Sequence, residues 1–392
     1  MKRRVQLLYL LFNRVGKGTY WRGLGFAREL GKQNYDVTVI AASPNRKRGV
    51  EQRTVDHVTL VEMPDLFPGA GYDLWDTLNR MVWLRKRPFD IIHTFETRPV
   101  NIFPAIRTQK RTSAVLFTDW CDWFGRGGSV EQRKNPLLRN LLRPVETYFE
   151  EHYRIRADGA TVINHVLKQK AVALGVNPEH ILLLPNGANV TGIKPQDKAA
   201  ARTRLGLPVD APVFAYTGAV FADDARLMAD AFKQIHVSHP KARLLLIGYN
   251  NIALEQWLPD ETRHAVIRTG PVSFHDLSGC IAAADIGWLP LRDNGANQGR
   301  FPMKLFDFMA ASRPVVATDV ADTGKLVQDK RAGLVSSDNP AAFAQATLNL
   351  IADKDGQQEM GQNGRFAVEN EFAWPIVANQ LDSFYQTILN KR

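Results

Sequence analysis

The chain reads as an α/β protein built from two doubly wound domains, and three observations lead there. Short apolar runs with strand character alternate with helix-periodic segments along most of the sequence, the pattern of parallel sheets covered by helices. The alternation breaks once, at Asn186-Gly187-Ala188-Asn189, where a turn signal precedes a polar stretch over 191–204 that contains Pro195, and then it begins again. The length of 392 residues, 45% of them hydrophobic and 23% charged, exceeds what one compact core usually serves. The expected architecture is two Rossmann-like halves facing a cleft, residues 1–190 and 191–371, with a terminal helix over 372–392 crossing back to the first half.

In the first half, strands are expected at 5–12, 36–41, 58–63, 90–94, 114–118, 159–163 and 181–185. Between the first two, Leu24, Ala27 and Leu30 recur at helical spacing and predict a helix over 21–30. The opening Met1-Lys2-Arg3-Arg4 and the apolar run after it imitate a secretion signal. Asn13-Arg14 stands where a small-residue cleavage site belongs, so a buried first strand is the better reading. The second half restarts with a strand at 213–217 and continues at 243–248, 265–269, 286–289, 314–318 and 333–335, with helices at 224–236, 277–283, 304–311 and 341–351. Over 372–389, Trp374, Val377, Leu381, Phe384 and Tyr385 fall on one helical face.

Composition narrows the function. Cys121 and Cys280 lie far apart without C-x-x-C spacing, which excludes a disulfide framework and a structural zinc site and makes a reducing, cytoplasmic setting the expectation. No apolar stretch approaches the roughly 20 residues of a membrane-spanning helix. Lys and Arg number 50 against 40 Asp and Glu, a net charge of +10, and such a surplus favours a polyanionic or membrane-surface partner. Nucleic acid is not that partner, because no helix-turn-helix pattern or RNA-binding motif is present. The absence of G-x-G-x-x-G opening a helix argues against a dinucleotide-dependent oxidoreductase.

Three segments could carry chemistry. The loop Asn13-Arg14-Val15-Gly16-Lys17-Gly18-Thr19 follows the first strand, and at that end of an open α/β sheet amides and a helix start can receive a phosphate. Gly16 and Gly18 would let the backbone approach it, and they serve equally well as plain turn residues. His93 and Glu96 sit at another strand end, and Asp119, Trp120, Asp122 and Trp123 follow a third. Carboxylates interleaved with aromatic rings suit a sugar, and the same tryptophans suit a core. The densest constellation runs from Asn297 through Thr318. Pro302 can open a helix, and Arg300 and Lys304 would join the first-turn amides of Met303, Lys304 and Leu305 around a diphosphate. Asp307, one turn beyond Lys304, could accept from ribose hydroxyls or simply pair with that lysine.

On these residues the chain resembles the nucleotide-sugar-dependent glycosyltransferases of the GT-B fold, in the large retaining group called family 4. Asp307-Phe308-Met309-Ala310-Ala311-Ser312-Arg313-Pro314-Val315-Val316-Ala317-Thr318 is similar to the family's E-A-M-A-x-G-x-P-V-V-A-T. Pro185-Asn186-Gly187 resembles its P-N-G-V-D, Asp90-Ile91-Ile92-His93 its D-x-x-H, and Ala282-Ala283-Ala284-Asp285-Ile286 with Leu289-Pro290 its A-A-D-x-x-x-x-P. The resemblance covers nearly the whole chain, with departures. Gly299 stands where the first glutamate of E-x₇-E belongs and Asp307 at the second, so Pro302-x-Lys304-x-x-Asp307 matches a variant form. Ala219 replaces the arginine of a phosphate clamp beside Gly218, Arg226 is an approximate stand-in for its lysine, and Asp119 takes the place of the active-site histidine.

The resemblance implies an enzyme that moves a sugar from a nucleotide-sugar donor to a glycan or lipid-linked acceptor, with retention and without metal or cofactor, in cell-envelope glycan or glycolipid synthesis. It implies Asp119 and Lys304 as catalytic residues. Donor contacts would come from Arg300, Met303, Lys304, Leu305, Asp307, Gly218, Gly16 and Gly18, and acceptor or sugar contacts from His93, Glu96, Asp122 and Trp120. The alternative, motivated by the departures, is an inactive nucleotide-sugar or glycan-binding protein on the same fold. The charge divides unevenly: residues 1–190 hold 29 Lys and Arg against 18 Asp and Glu, a net of +11. Arg46-Lys47-Arg48, Arg85-Lys86-Arg87, Lys110-Arg111 and Arg133-Lys134 concentrate it, and Arg139 and Arg143 lie near Leu137, Leu138, Leu141 and Leu142. Solvated charge runs have this look, and so does a surface that docks on the anionic inner face of the cell membrane.

Overall fold

A computed structural model describes residues 3–46, 48–66 and 71–391, so Met1, Lys2 and Lys47 of the basic segments lie outside the described residues. The chain divides into two units: Met1–Gly187 with Gln298–Arg300 and Trp374–Arg392, and Ala188–Asn297 with Phe301–Ala373. The second unit thus begins at Ala188 where residue 191 was expected. The three residues Gln298–Arg300 belong with the first unit, which no local pattern announces.

The first unit is an eight-stranded sheet in the order β3-β4-β2-β1-β5-β6-β7-β8. Its strands are β1 (Val5–Arg14), β2 (Tyr35–Ala42), β3 (Glu51–Val55), β4 (Val58–Met63), β5 (Ile91–Phe95), β6 (Val115–Trp120), β7 (Gly159–Val162) and β8 (Ile181–Leu183). All pairings are parallel except β3 with β4. The apolar run of β1 is continuous because both faces of a central parallel strand are covered, and Leu7 through Leu11 are fully buried. The edge strand β3 is a finding. Glu51-Gln52-Arg53-Thr54 is exposed and polar, and only its antiparallel register with β4 makes it a strand.

Helices α1 (Thr19–Gly31), α2 (Leu74–Leu84), α3 (Pro99–Thr112), α4 (Pro136–His152) and α6 (Trp374–Asn390) belong to this unit. On α6, Val377, Leu381, Phe384, Tyr385 and Ile388 join the core formed by β1, β2 and α1. The Tyr385 and Tyr9 hydroxyls meet at 3.1 Å, and the Trp374 ring lies edge-on to Phe26 at 5.2 Å.

The second unit is a six-stranded, all-parallel sheet in the order β11-β10-β9-β12-β13-β14. Its strands are β9 (Val213–Thr217), β10 (Arg243–Ile247), β11 (Val266–Arg268), β12 (Ile286–Leu289), β13 (Val315–Thr318) and β14 (Gly333–Ser336). The helix that matters for the site is α5 (Met303–Ala310), which presses Leu305, Phe306, Phe308 and Met309 into the interior. Trp288 stacks on Phe214 at 4.8 Å and anchors the core beside it.

Candidate active site

In the first unit the ends of β5 and β6 hold buried charges. Parallel register sets Phe95 beside Asp119 and Asp119 beside Thr161. Arg22 of α1 grips the Asp119 carboxylate with two hydrogen bonds, 2.9 and 2.8 Å, and also donates to the carbonyls of Leu184 and Pro185. Burial opposes ionisation of Asp119, but Arg22, His93 and the Thr161 hydroxyl outweigh it and hold the carboxyl below its usual range. His93 lies between the Tyr385 hydroxyl at 2.6 Å and the Thr161 hydroxyl at 3.2 Å. Burial pushes it down to about 3, so it is a neutral imidazole.

Glu96, at a left-handed φ of 67°, accepts from the amides of Cys121 and Asp122 and pairs with Arg154 at 2.5 Å. Glu150 of α4 accepts from the Trp120 indole at 3.0 Å and from the amides of Phe124 and Gly125 at 2.7 Å each. Burial pushes its carboxyl up to about 7 against the pull of Arg154. These two carboxylates therefore fasten both ends of the loop after β6.

The placement corrects four expectations. His93, Glu96, Asp119 and Trp120 have 1% exposure or less, and their polar atoms are taken up by the partners just named, so His93, Glu96 and Trp120 offer no side chain to an acceptor or sugar, and Asp119, expected to be catalytic, is an internal tie that does not reach a substrate. They act behind the surface. Asp122 is different: its side chain keeps 34% exposure and faces Arg300 at 3.5 Å. Its buried surroundings push the carboxyl up to about 6, with Arg300 opposing. Asn164 holds that arginine's segment by donating to the carbonyls of Gln298 and Arg300 at 2.7 and 3.1 Å. Arg300, expected to share a diphosphate with Lys304, faces Asp122 within the first unit and keeps a third of its side chain exposed.

The loop after β1 is partly filled. Gly16 and Gly18 both adopt left-handed φ, 81° and 54°, a region that favours glycine. The Asn13 side chain accepts from the Thr19 amide at 2.9 Å and so occupies the start of α1 that was expected to receive an anion. Lys17 is exposed beside a cavity of about 220 Å³ lined also by Asn13, Arg14, Asp65 and Asp73.

In the second unit, Lys304 stands in the first turn of α5 with its ammonium 3.6 Å from the centre of the Tyr216 ring and 3.4 Å from the Ala219 carbonyl. Tyr216 donates to that carbonyl at 3.0 Å. Gly218 begins this turn at φ 75°, and a Cβ there would meet nothing within 4 Å. Asp307, one turn on, is half-buried. Burial raises its carboxyl to about 7, and Lys304 pulls the other way. Met303 is half-buried, whereas the Leu305 side chain is fully buried and its amide donates to the Pro302 carbonyl at 3.2 Å, so Leu305 is corrected from donor contact to core. Arg226 pairs with Asp230 at 2.7 Å. A separate cavity of about 750 Å³ runs along β14, lined by Asp319, Arg331, Ser336, Glu359 and Asn363 among others, and includes no expected residue.

Sequence reasoning missed Arg22, Glu150 and Arg154, whose signals are single charges in otherwise ordinary helical segments. It also missed Gly248 and Gly270, which with Gly218 end the neighbouring strands β9, β10 and β11 at φ 75°, 82° and 69°. A glycine directly after or one residue beyond three strands in a row was a readable signal.

Residues 24–191 match the family described as Glycosyltransferase Family 4, and residues 211–353 the family described as Glycosyl transferases group 1. The chain is 24% identical over 314 residues to the GDP-mannose-dependent monoacylated alpha-(1-6)-phosphatidylinositol monomannoside mannosyltransferase of Corynebacterium glutamicum, the match covering 78% of each chain. In fold it is similar to sucrose-phosphate synthase from Thermosynechococcus elongatus, with a TM-score of 0.77, 18% identity and coverage of 99% and 100%. It is likewise similar to Anabaena Alr3699/HepE in complex with UDP and glucose, with a TM-score of 0.73, 13% identity and coverage of 98% and 100%. Two matched domains and a shared fold lead to one conclusion: the chain belongs to the GT-B glycosyltransferases of family 4 and is a nucleotide-sugar-dependent glycosyltransferase.

Proposed function

We propose that this enzyme transfers a hexose with retention, and without metal, from a nucleoside diphosphate sugar to a glycan or lipid-linked acceptor of the cell envelope, working on the cytoplasmic side at the membrane face. The observation that carries the reading is the position of Lys304, whose ammonium lies over Tyr216 beside the turn at Gly218, where even a Cβ would meet nothing within 4 Å. As the bond from sugar C1 to the diphosphate oxygen breaks, negative charge grows on the leaving phosphate. A fixed cation and the amides at the start of α5 stabilise that charge, which is usually the largest single catalytic contribution. The acceptor hydroxyl bonds to C1 on the face the phosphate leaves, and its proton passes to a phosphate oxygen. Asp307 holds the ribose hydroxyls, and the exposed edge of Asp122 meets the acceptor while Asp119 holds its strand in place from the interior. The relative from Corynebacterium glutamicum is named for GDP-mannose and for a phosphatidylinositol mannoside, which supports a lipid-linked acceptor.

The test is incubation with nucleotide sugars and lipid-linked acceptors in excess EDTA, following nucleoside diphosphate release and the anomeric configuration of the product by NMR. Retained configuration at undiminished rate is expected. Inversion, or dependence on added divalent metal, would sink the mechanism. Binding of the nucleotide sugar without release of nucleoside diphosphate would make this a binding protein.

A further inference from the structure

Two helices of the first unit are inside out. α2 buries Asp76, Thr77 and Arg80 together with Leu84, and exposes Leu74 (73%), Trp75, Leu78 and Val82 (73%). α4 buries Glu146 and Glu150 and exposes Leu137 (79%), Leu138, Leu141 (68%), Val145 and Tyr148. Residues 74, 78 and 82, like 137, 141 and 145, are four apart, so each set forms one stripe along its helix.

The buried polar groups fix this orientation. Arg80 pairs with Asp76 at 2.7 and 2.9 Å and donates to the Leu11 carbonyl and to Asn101. Glu146 takes Arg98 at 3.5 Å and Arg133 at 2.5 Å, and Glu150 takes the indole and amides described above. Turning α4 over would take Glu146 away from buried Arg98 and Glu150 away from the Trp120 indole, and turning α2 over would take Arg80 away from the Leu11 carbonyl and Asn101; unpairing buried polar groups in this way costs more than leaving leucines wet. The two helices approach each other through neighbours: Tyr72, just before α2, meets Phe149 of α4 at 5.8 Å, and Phe103 of α3, which packs on α2, meets the same ring at 5.7 Å. No described residue covers the stripes. Apolar surface of this extent marks an interaction site. Exposed cations border it: Arg85, Lys86 and Arg87 after α2, Arg107, Lys110 and Arg111 on or beside the end of α3, and Lys134 before α4.

From this geometry we infer that the outward faces of α2 and α4 form one docking surface for a bilayer containing anionic lipid. The two apolar stripes enter the boundary of the acyl chains and the basic clusters meet the headgroups. The inference rests on the membrane-face reading above and assigns it to specific residues. A second copy of the chain fits poorly as the occupant, because it would bring the same positive clusters against themselves, whereas an anionic bilayer supplies both apolar depth and opposite charge.

The test is sedimentation with vesicles of phosphatidylcholine alone and of phosphatidylcholine mixed with phosphatidylglycerol, at low and high salt. Binding to the mixed vesicles is expected to exceed binding to the neutral ones by about tenfold, and to weaken with salt. The pairs Leu78→Ser with Val82→Ser and Leu137→Ser with Leu141→Ser should each weaken it by about tenfold or more. Arg85→Glu with Lys86→Glu should weaken it and flatten the salt dependence. All six side chains are exposed, so the variants should melt as the parent does. Equal binding to both vesicle types, or serine variants that bind like the parent, would overturn the inference. So would self-association that the serine pairs abolish in a protein that ignores vesicles. Thermal shifts with nucleotide sugars separate the two readings: a protein that docks on vesicles but answers to no nucleotide sugar would lose the transferase mechanism and keep the docking surface.

Discussion

At the ends of β5 and β6 the first unit sets Glu96 and Asp119 against Arg154 and Arg22, with every one of these groups buried. The ends of β9, β10 and β11 in the second unit instead carry Gly218, Gly248 and Gly270, and a Cβ at Gly218 or Gly270 would meet nothing within 4 Å. The carboxyl edge of a parallel sheet is where ligands bind, and these two edges treat it oppositely. This ion-pair network is closed to a ligand, because the Glu96 and Asp119 carboxylate oxygens all accept within it and the Arg154 Nε that lacks a hydrogen-bond partner is buried. Its output is a rigid β6 and a loop clamped at both ends by Glu96 and Glu150. The glycine edge spends the Gly218 and Gly248 amides on the Ile247 carbonyl and the Thr269 hydroxyl, keeps bare backbone at Gly218 and Gly270, and has the Lys304 ammonium over the Tyr216 ring beside it, where the proposed reaction would develop charge. Stability should therefore respond to the first edge and turnover to the second.

The sharpest way to break that division is Arg22→Ala, which strands the Asp119 carboxylate in the interior. Loss of about 3–5 kcal/mol of stability is expected, read as a lower urea midpoint, and an unchanged midpoint would dissolve the contrast. Next in size is Lys304→Ala, for which a fall of roughly 10²–10³-fold in kcat is expected at an unchanged unfolding midpoint, checked by nucleoside diphosphate release. Gly218→Ala should cost about 1–2 kcal/mol, the price of a Cβ in the left-handed region, seen in thermal melting and accompanied by a higher KM for the donor. The gentlest effect belongs to Asp307, whose contact with solvent relieves part of its burial. Its carboxyl is raised to about 7 from an ordinary 3.8. Between those values the unfolded chain ionises while the native state keeps its proton, so stability falls as pH rises through the window and levels off above it. Asp307→Asn should flatten that fall in unfolding midpoints taken from pH 4 to pH 8.

Much of the fold was legible because its signals are local. The apolar run of β1, the restart at β9, the Pro302 that opens α5 and the one-sided apolar face of α6 are each visible within a short window, since burial imposes a period on neighbouring residues. The pairing of Lys304 with the turn after β9 was within reach too, because strand ends and helix starts meet at the crevice edge of such sheets. What escaped notice depends on distance. β3 is a strand only through β4, and α2 shows no inward apolar face that a periodicity reading would pick up. Asp119 looked like a site residue because acidic groups at strand ends usually are exposed. It is buried because Arg22, far away in sequence, arrives on top of it.

The order of α and β elements, the two-unit division near Gly187 and the helix start that places Lys304 after Pro302 were therefore set by residue patterns along the chain, since each follows from local propensity and burial period. Which charges are working surface and which are internal ties, and which face of α2 and α4 looks outward, was decided by tertiary structure alone. The reason is physical: an ion pair or an exposed stripe is a property of what lies across from it, and in this molecule the partner is usually tens of residues away.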